Sequence, residues 1–327
     1  MAFFLYRMRH GNKISNPPYA LDRSKAPVHA NYLSKEKCMQ KKIGIVTDNT
    51  SDIPEALKRA LGIHTIPTNI VLDGKVYRDG IDIKVEDFYR NFHTYKEMVS
   101  QPITYEDYAL IYKKLTYEYD GLIFVHVSSK LSGTYDIALQ VHNDFKGSHN
   151  CQVAIIDSLQ CSMGYGIPVI AGARMVQKGR SLDDVMAHVQ HVLKNMSAFF
   201  AVPDLTYLRR GKKISGFKSL MGMAMKVKPV MSIENGENVV KTKLFGEQKN
   251  MILSMLDMIR EDIAGRPITL AILQTAAEVS VVESLREVFQ SEFKCHDIFD
   301  AYYSPSIGLN MGPESTGIAY YKHPMRA

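Results

Sequence analysis

The sequence predicts an α/β fold, and three observations carry that expectation. Short apolar runs at 43–46, 122–127 and 153–156 lack polar alternation, as buried strands of a parallel sheet do. Helix-like stretches separate them, which implies a mostly parallel sheet with covering helices. Beyond Ser162 the texture changes, and Asn235-Gly236 between two strand-like runs is a strong hairpin signal. The expected organisation is a flexible N-terminal extension over 1–40, an α/β domain over 41–162, and an α+β domain with an antiparallel or mixed sheet over 163–327.

The elements follow in order. Residues 1–40 are polar, contain Pro17-Pro18 and show no sustained periodicity, so they read as an arm. A strand begins soon after Met39, which reads as the natural first residue of the domain, with the arm as an addition to it. In the first half, helix patterns cover 52–61, 85–95, 104–118 and 132–145, and an extended run at 66–72 leads into a turn at Asp73-Gly74. A long helix near 163–178 ends at Gly179, and Ser181-Leu-Asp-Asp184 opens the next with a capping pattern. Strands are expected at 198–202, 227–233, 239–244, 268–274 and 317–321, with helices near 246–264 and 277–290.

Composition excludes several classes. The net charge is +6, but Arg7, Arg9, Lys13, Arg23, Lys25, Lys35 and Lys37 against Asp22 and Glu36 put +5 of it in the arm. The body is nearly neutral, so no nucleic-acid footprint is indicated. No apolar run approaches the roughly 20 residues of a membrane helix, and stable membrane insertion is not expected. Cys38, Cys151, Cys161 and Cys295 are far apart, without zinc spacing or a disulfide framework, which suits reduced thiols and a cytoplasmic location. No metal site and no cofactor are expected.

Common catalytic signatures are absent too: there is no G-x-x-x-x-G-K-[ST] loop, no G-x-G-x-x-G and no G-x-S-x-G. His188 and His191 lie three residues apart without the glutamate of a zinc-protease motif, and read as an exposed helix face. What remains is a set of polar clusters at expected strand ends. These are Thr47-Asp-Asn-Thr-Ser-Asp52, Ser100-Gln-Pro102, Ser128-Ser-Lys-Leu-Ser-Gly-Thr-Tyr135 and Asp157-Ser158. At the end of a parallel strand, Ser128 and Ser129 either cap the next helix or help its free N–H groups hold an anion. Asp48 and Asp157 sit where an acid/base pair would, without a visible nucleophile beside them.

The order of these clusters resembles the DegV family, and the second half agrees. It carries Tyr207-Leu-Arg-Arg-Gly-Lys-Lys-Ile214, Lys228-Pro-Val-Met-Ser-Ile233 and Gly308-Leu-Asn-Met-Gly-Pro313. The resemblance implies a two-domain fatty-acid-binding protein with a lipid tunnel between its domains. Some family members are the lipid-presenting subunit of bacterial fatty acid kinase, whose separate kinase subunit converts the bound carboxylate to an acyl phosphate for phospholipid synthesis. It therefore implies a carrier without its own complete active site, with a long-chain fatty acid as ligand and a kinase subunit as partner. A small-molecule enzyme using Asp48 or Asp157 is one alternative; a lipid-sensing regulator without a kinase is another.

By the same resemblance the carboxylate meets the Ser128 hydroxyl and the Ser129 N–H, with Ser100 and Asn310 nearby. Neutral donors leave its oxygen free to attack phosphorus, which an arginine clamp would hinder. Affinity comes from the tail, since 14 methylenes at roughly 0.8 kcal/mol each give on the order of 11 kcal/mol gross. Met221, Met223 and Met225 read either as tunnel lining or as core filler. Arg209, Arg210 and Lys213 are the candidates for kinase contact, or form a solvated charge run. The sequence departs from the family pattern at Val99, where a threonine is usual, at Asn310, where a histidine is, and at Gly211-Lys212-Lys213, where the family has Gly-Gly-Arg.

Overall fold

The computed structural model describes residues 41–210, 227–245, 248–275 and 279–325. In the first half β1 (Ile43–Asp48), α1 (Glu55–Leu61), β2 (Ile63–Ile66), β3 (Asn69–Leu72), β4 (Lys75–Arg78) and α2 (Val85–Arg90) come first. They are followed by β5 (Met98–Gln101), α3 (Tyr105–Glu118), β6 (Gly121–His126), α4 (Thr134–Phe145) and β7 (Gln152–Asp157). The second half runs α5 (Met163–Gln177), α6 (Leu182–Lys194), β8 (Met196–Ala201), α7 (Leu205–Arg210), β9 (Lys228–Glu234) and β10 (Glu237–Leu244). It closes with α8 (Gln248–Ile263), β11 (Ile268–Gln274), α9 (Val279–Glu292), β12 (Cys295–Tyr302), α10 (Pro305–Met311) and β13 (Thr316–Lys322).

The fold is α/β, as the sequence predicts. A parallel sheet has the order β2-β1-β6-β7, with Ile45 opposite Ile63 and Val46 opposite Phe124. β1 is followed by β2 on one side and by β6 on the other, so their carboxyl ends form a switch-point crevice of the kind where α/β sheets take ligands. The second sheet, β10-β9-β8-β13-β11-β12, is mixed: β11 and β12 are parallel and the other pairs antiparallel.

Two differences from the sequence expectation bear on the loops at the strand ends. The run at 66–72 is not one strand: β2 ends at Ile66, and β3 joins a separate antiparallel sheet, β4-β3-β5. Pro67 lies at the break, and a proline has no N–H to give a sheet ladder. α4 starts at Thr134 behind Gly133, so Ser128 and Ser129 do not cap it. Ser128 O instead accepts from the N–H groups of Leu131 and Ser132 and closes a turn ahead of the helix. The other local signals behave as their chemistry dictates. Thr104 caps α3 through Asp107 N, Ser181 caps α6 through Asp184 N, and Asn235 and Gly236 take φ of 51° and 85° in the β9–β10 turn.

The expected boundary at 162 falls at the first turn of α5. This helix is apolar on nearly every side, and ten of its residues, from Met163 to Ala173, are buried. It packs on β1 and β6 of one sheet and on β8, β11 and β13 of the other. One core therefore holds Ile45, Ile123 and Val125 together with Phe200, Ala271 and Tyr321.

Candidate ligand-binding site

The β1 and β6 ends are tied by a buried polar network around Asp48. The Asp48 carboxylate accepts from Thr50 N (3.1 Å), the Thr50 hydroxyl and Tyr165 OH (2.6 Å) on one oxygen. Its other oxygen meets His126 Nδ1 (3.1 Å) and Val127 N (3.3 Å), and His126 Nε2 lies 2.8 Å from Tyr108 OH. Burial pushes the Asp48 carboxyl up, but the hydrogen bonds from His126, Thr50 and Tyr165 and the attraction of His126 outweigh it, and its pKa falls. Asp48 and His126 are both fully buried with both ends engaged. Asp157 is also engaged, since Oδ1 accepts from Ser129 N (3.2 Å) and Leu159 N (3.1 Å). This geometry braces the loops rather than readying an acid/base pair.

These loops and the second sheet enclose a cavity of about 130 Å³. Its walls are largely apolar, with Val127 and Leu131 from the β6 loop, Phe199 and Phe200 from β8, Leu273 from β11, and Ile307 and Met311 from α10. The polar lining is Thr50, Ser132, Ser162, Asn238, Ser306 and Asn310, and no lining residue among those described carries a formal charge.

Of the residues singled out from sequence, Asn310 lines the cavity, half-buried on α10. Ser128 lies between the lining residues Val127 and Leu131 and is wholly buried. Its hydroxyl donates to Gly236 O (2.7 Å) and accepts from Lys130 N (3.2 Å), so the tip of the β9–β10 hairpin rests on it. Ser129 is half-buried beside it. Ser100 is half-buried on β5, opposite Ile70, and the neighbouring Val99 is exposed. Met221, Met223, Met225 and Lys213 lie outside the described residues; Arg209 and Arg210 form the end of α7.

Sequence reasoning missed the support beneath α10. Asp52 Oδ2 accepts the Ser162 hydroxyl (2.5 Å), and Oδ1 accepts Ser304 N (2.9 Å). Asp79 Oδ2 accepts Ser306 N (2.8 Å), and the Ser306 hydroxyl lies 2.7 Å from that of Thr68. Two acids of the first half thus hold the opening turn of the helix that carries Ile307, Asn310 and Met311. Burial pushes Asp52 up to about 7 and Asp79 up to about 6. Partners 252 and 227 residues apart leave no local signal.

A family model described as an uncharacterised protein of the DegV family matches residues 42–323. A DegV domain-containing protein of Caldanaerobacter subterraneus is 30% identical over 282 residues, covering 85% of this chain and 98% of the relative. Protein DegV of Bacillus subtilis is 27% identical over 282 residues, with the same coverage. Among solved structures, a fatty-acid-binding DegV family protein of Thermus thermophilus superposes with a TM-score of 0.78 at 27% identity, covering 86% of this chain and 100% of its own. DegV of Bacillus subtilis, described as a fatty acid binding protein, matches with a TM-score of 0.78 at 25% identity and the same coverage. The chain belongs to the DegV family.

Proposed function

We propose that this protein binds a long-chain fatty acid in the cavity between its halves, 41–162 and 163–327, and presents the carboxylate to a separate kinase subunit for conversion to an acyl phosphate. On this reading it is a cytoplasmic carrier with no complete active site of its own. The observation that carries it is the cavity lining: aliphatic and aromatic walls with hydroxyl and amide groups as the polar lining. Such a lining suits an acyl chain ending in an anion held by neutral donors. The fatty-acid-binding relatives from Thermus thermophilus and Bacillus subtilis support the same ligand class. Among the described residues no helix is long and apolar enough to cross a membrane.

At about 130 Å³ the cavity is small beside the roughly 300–1,000 Å³ usual for ligand pockets. A long tail needs more room, so it has to part the side chains around it. At the head group, Ser128 exchanges Gly236 O for the carboxylate, and the Ser129 N–H leaves Asp157. Asn310 and Ser100 assist, and Met221, Met223 and Met225 receive the tail. Arg209, Arg210 and Lys213 meet the kinase.

Solvent extraction of the purified protein followed by mass spectrometry should release a long-chain acid, and delipidated protein should take one up again. Ser128→Ala should weaken uptake about ten- to a hundredfold, as loss of a hydrogen bond to a charged group of about 1.5–3 kcal/mol implies. With ATP and fatty acid but no kinase subunit, no acyl phosphate should form. Failure to retain or take up any long-chain acid would sink the proposal.

A further inference from the structure

A second cleft, of about 300 Å³, opens between α5, α6 and the β13-β11-β12 end of the mixed sheet, and shares no lining residue with the cavity. Three histidines converge on it: His188 from α6, His296 from β12 and His323 just beyond β13. The rings of His296 and His323 are 4.4 Å apart, and Tyr321 is equally close to His323. Arg174 of α5 and Lys178 just beyond its end join them. The acid facing this group is Asp297, which is already bound to Arg174 Nη1 at 2.7 Å. Lys322, the neighbour of His323, is turned to Asp262. His191 is exposed on α6, its ring 6.3 Å from that of Tyr321. The cleft therefore gathers five basic side chains around one carboxylate.

We propose that this cleft is a second ligand site, which takes a phosphate-class dianion, either free phosphate or a small phosphate monoester. Size, charge and wall chemistry converge on that class. The volume is at the lower end of the range for ligand pockets, about 300–1,000 Å³, which admits a small ligand, and the basic lining favours a polar one over an acyl chain. Among the described residues no group of three or more His, Cys, Asp or Glu side chains is placed to hold a metal ion, so the histidines are not a metal set. As donors they match an oxyanion: Thr269 Oγ1 lies 2.9 Å from His323 Nε2 and orients that ring, and the Asp297 contact orients the Arg174 guanidinium. Ile167, Ile170, Val192 and Phe299 form an apolar wall that would accept the organic part of a monoester.

The histidines make the site responsive to pH. Burial holds His188 and His323 below the ordinary imidazole value. Repulsion adds to it, from His191 and Lys178 on His188 and from His296 and His188 on His323, while Asp297 opposes it at His323. A dianion supplies the missing negative charge, so binding and protonation reinforce each other, and affinity rises as pH falls.

Imidazole resonances of the full chain, followed by NMR during titration, test this. Inorganic phosphate, phenyl phosphate and sulfate are the probes, with chloride as control, at about pH 6 and about pH 7.5. Saturable shifts of His188, His296 and His323 are expected, at least about tenfold tighter at the lower pH when inorganic phosphate, mostly a monoanion near pH 6, is counted by its dianion. Sulfate is a dianion at both values, so the same trend with sulfate assigns the pH effect to the protein. Tighter binding of phenyl phosphate points to a monoester, and equal binding to free phosphate; either supports the site. His323→Gln and Arg174→Gln should each weaken binding about tenfold and leave fatty-acid uptake unchanged. Shifts that do not saturate, or that chloride reproduces, would overturn the proposal from the wild-type titration alone.

Discussion

Asp52→Asn tests the acid beneath α10, and its effect should change with pH in a defined direction. In the folded chain Asp52 titrates near 7 because burial penalises its ionised form, against an ordinary value of 3.8. Between those two values the folded state binds more protons than the unfolded one, so stability falls as pH rises. At about pH 5 the folded carboxyl is two units below its pKa, at about 1.4 kcal/mol per unit; at about pH 8 that advantage is gone. Asp52 alone should therefore cost the wild type about 2–3 kcal/mol between the two conditions. Asparagine keeps the geometry: its Oδ1 accepts Ser304 N, and its amide donates to the Ser162 hydroxyl. Urea unfolding of both proteins at both pH values isolates the effect, because Asp79 and the other groups titrate in both. The variant should gain about 2–3 kcal/mol on the wild type between pH 5 and pH 8. Equal pH dependence in the two proteins would refute the reasoning.

Two glycines give further predictions. Gly236→Ala puts a side chain at φ 85°, with its Cβ 2.6 Å from Ser128 Oγ, so it should cost about 1–2 kcal/mol and lower Tm by several degrees in calorimetry. Gly308→Ala places a Cβ 2.0 Å from Tyr89 OH and displaces its 2.8 Å bond to Tyr303 O. About 2–4 kcal/mol should be lost in chemical denaturation, and adding Tyr89→Phe should return part of it, since the clash is with the hydroxyl.

Much of this fold is legible because local chemistry decides it. Asn235-Gly236 and Asp73-Gly74 adopt the positive φ values that a two-residue hairpin turn requires. Thr104 and Ser181 cap helices because the next turn offers them an unpaired N–H. β12 was not expected, because Cys295–Tyr302 is a half-exposed edge strand whose apolar residues form no buried run. α10 was not expected either: Gly308 sits inside it, and contacts with β5, β3, α2 and α7 sustain it rather than propensity. The candidate site divides the same way. Thr50, Ser132 and Ser162 fall in or beside clusters visible at strand ends, whereas Phe199, Leu273 and Ser306 reach the cavity only through the packing of the second sheet and α10. His188 is half-buried in the histidine cleft, not on an exposed face, because β12 and β13 bring His296 and His323 to it.

The state of Asp52 also governs what the cavity offers a ligand. Ser162 lines the cavity and donates its single hydroxyl proton to Asp52 when that carboxyl is ionised. Its remaining lone pairs repel an anion. When Asp52 is protonated, the carboxyl can donate to Ser162 Oγ, and the serine proton is released to point into the cavity. One proton at a buried acid thereby converts Ser162 from acceptor to donor at the wall. Because Asp52 titrates near 7, both states are populated around neutrality. On the proposed reading, a fatty carboxylate would draw Asp52 toward its protonated form, since a neutral acid removes a like charge and frees a hydroxyl donor. An arginine would hold the head group by its own charge and paired N–H donors. On the proposed reading the anion would instead meet neutral groups, and a proton taken up beneath the cavity would supply the electrostatic compensation.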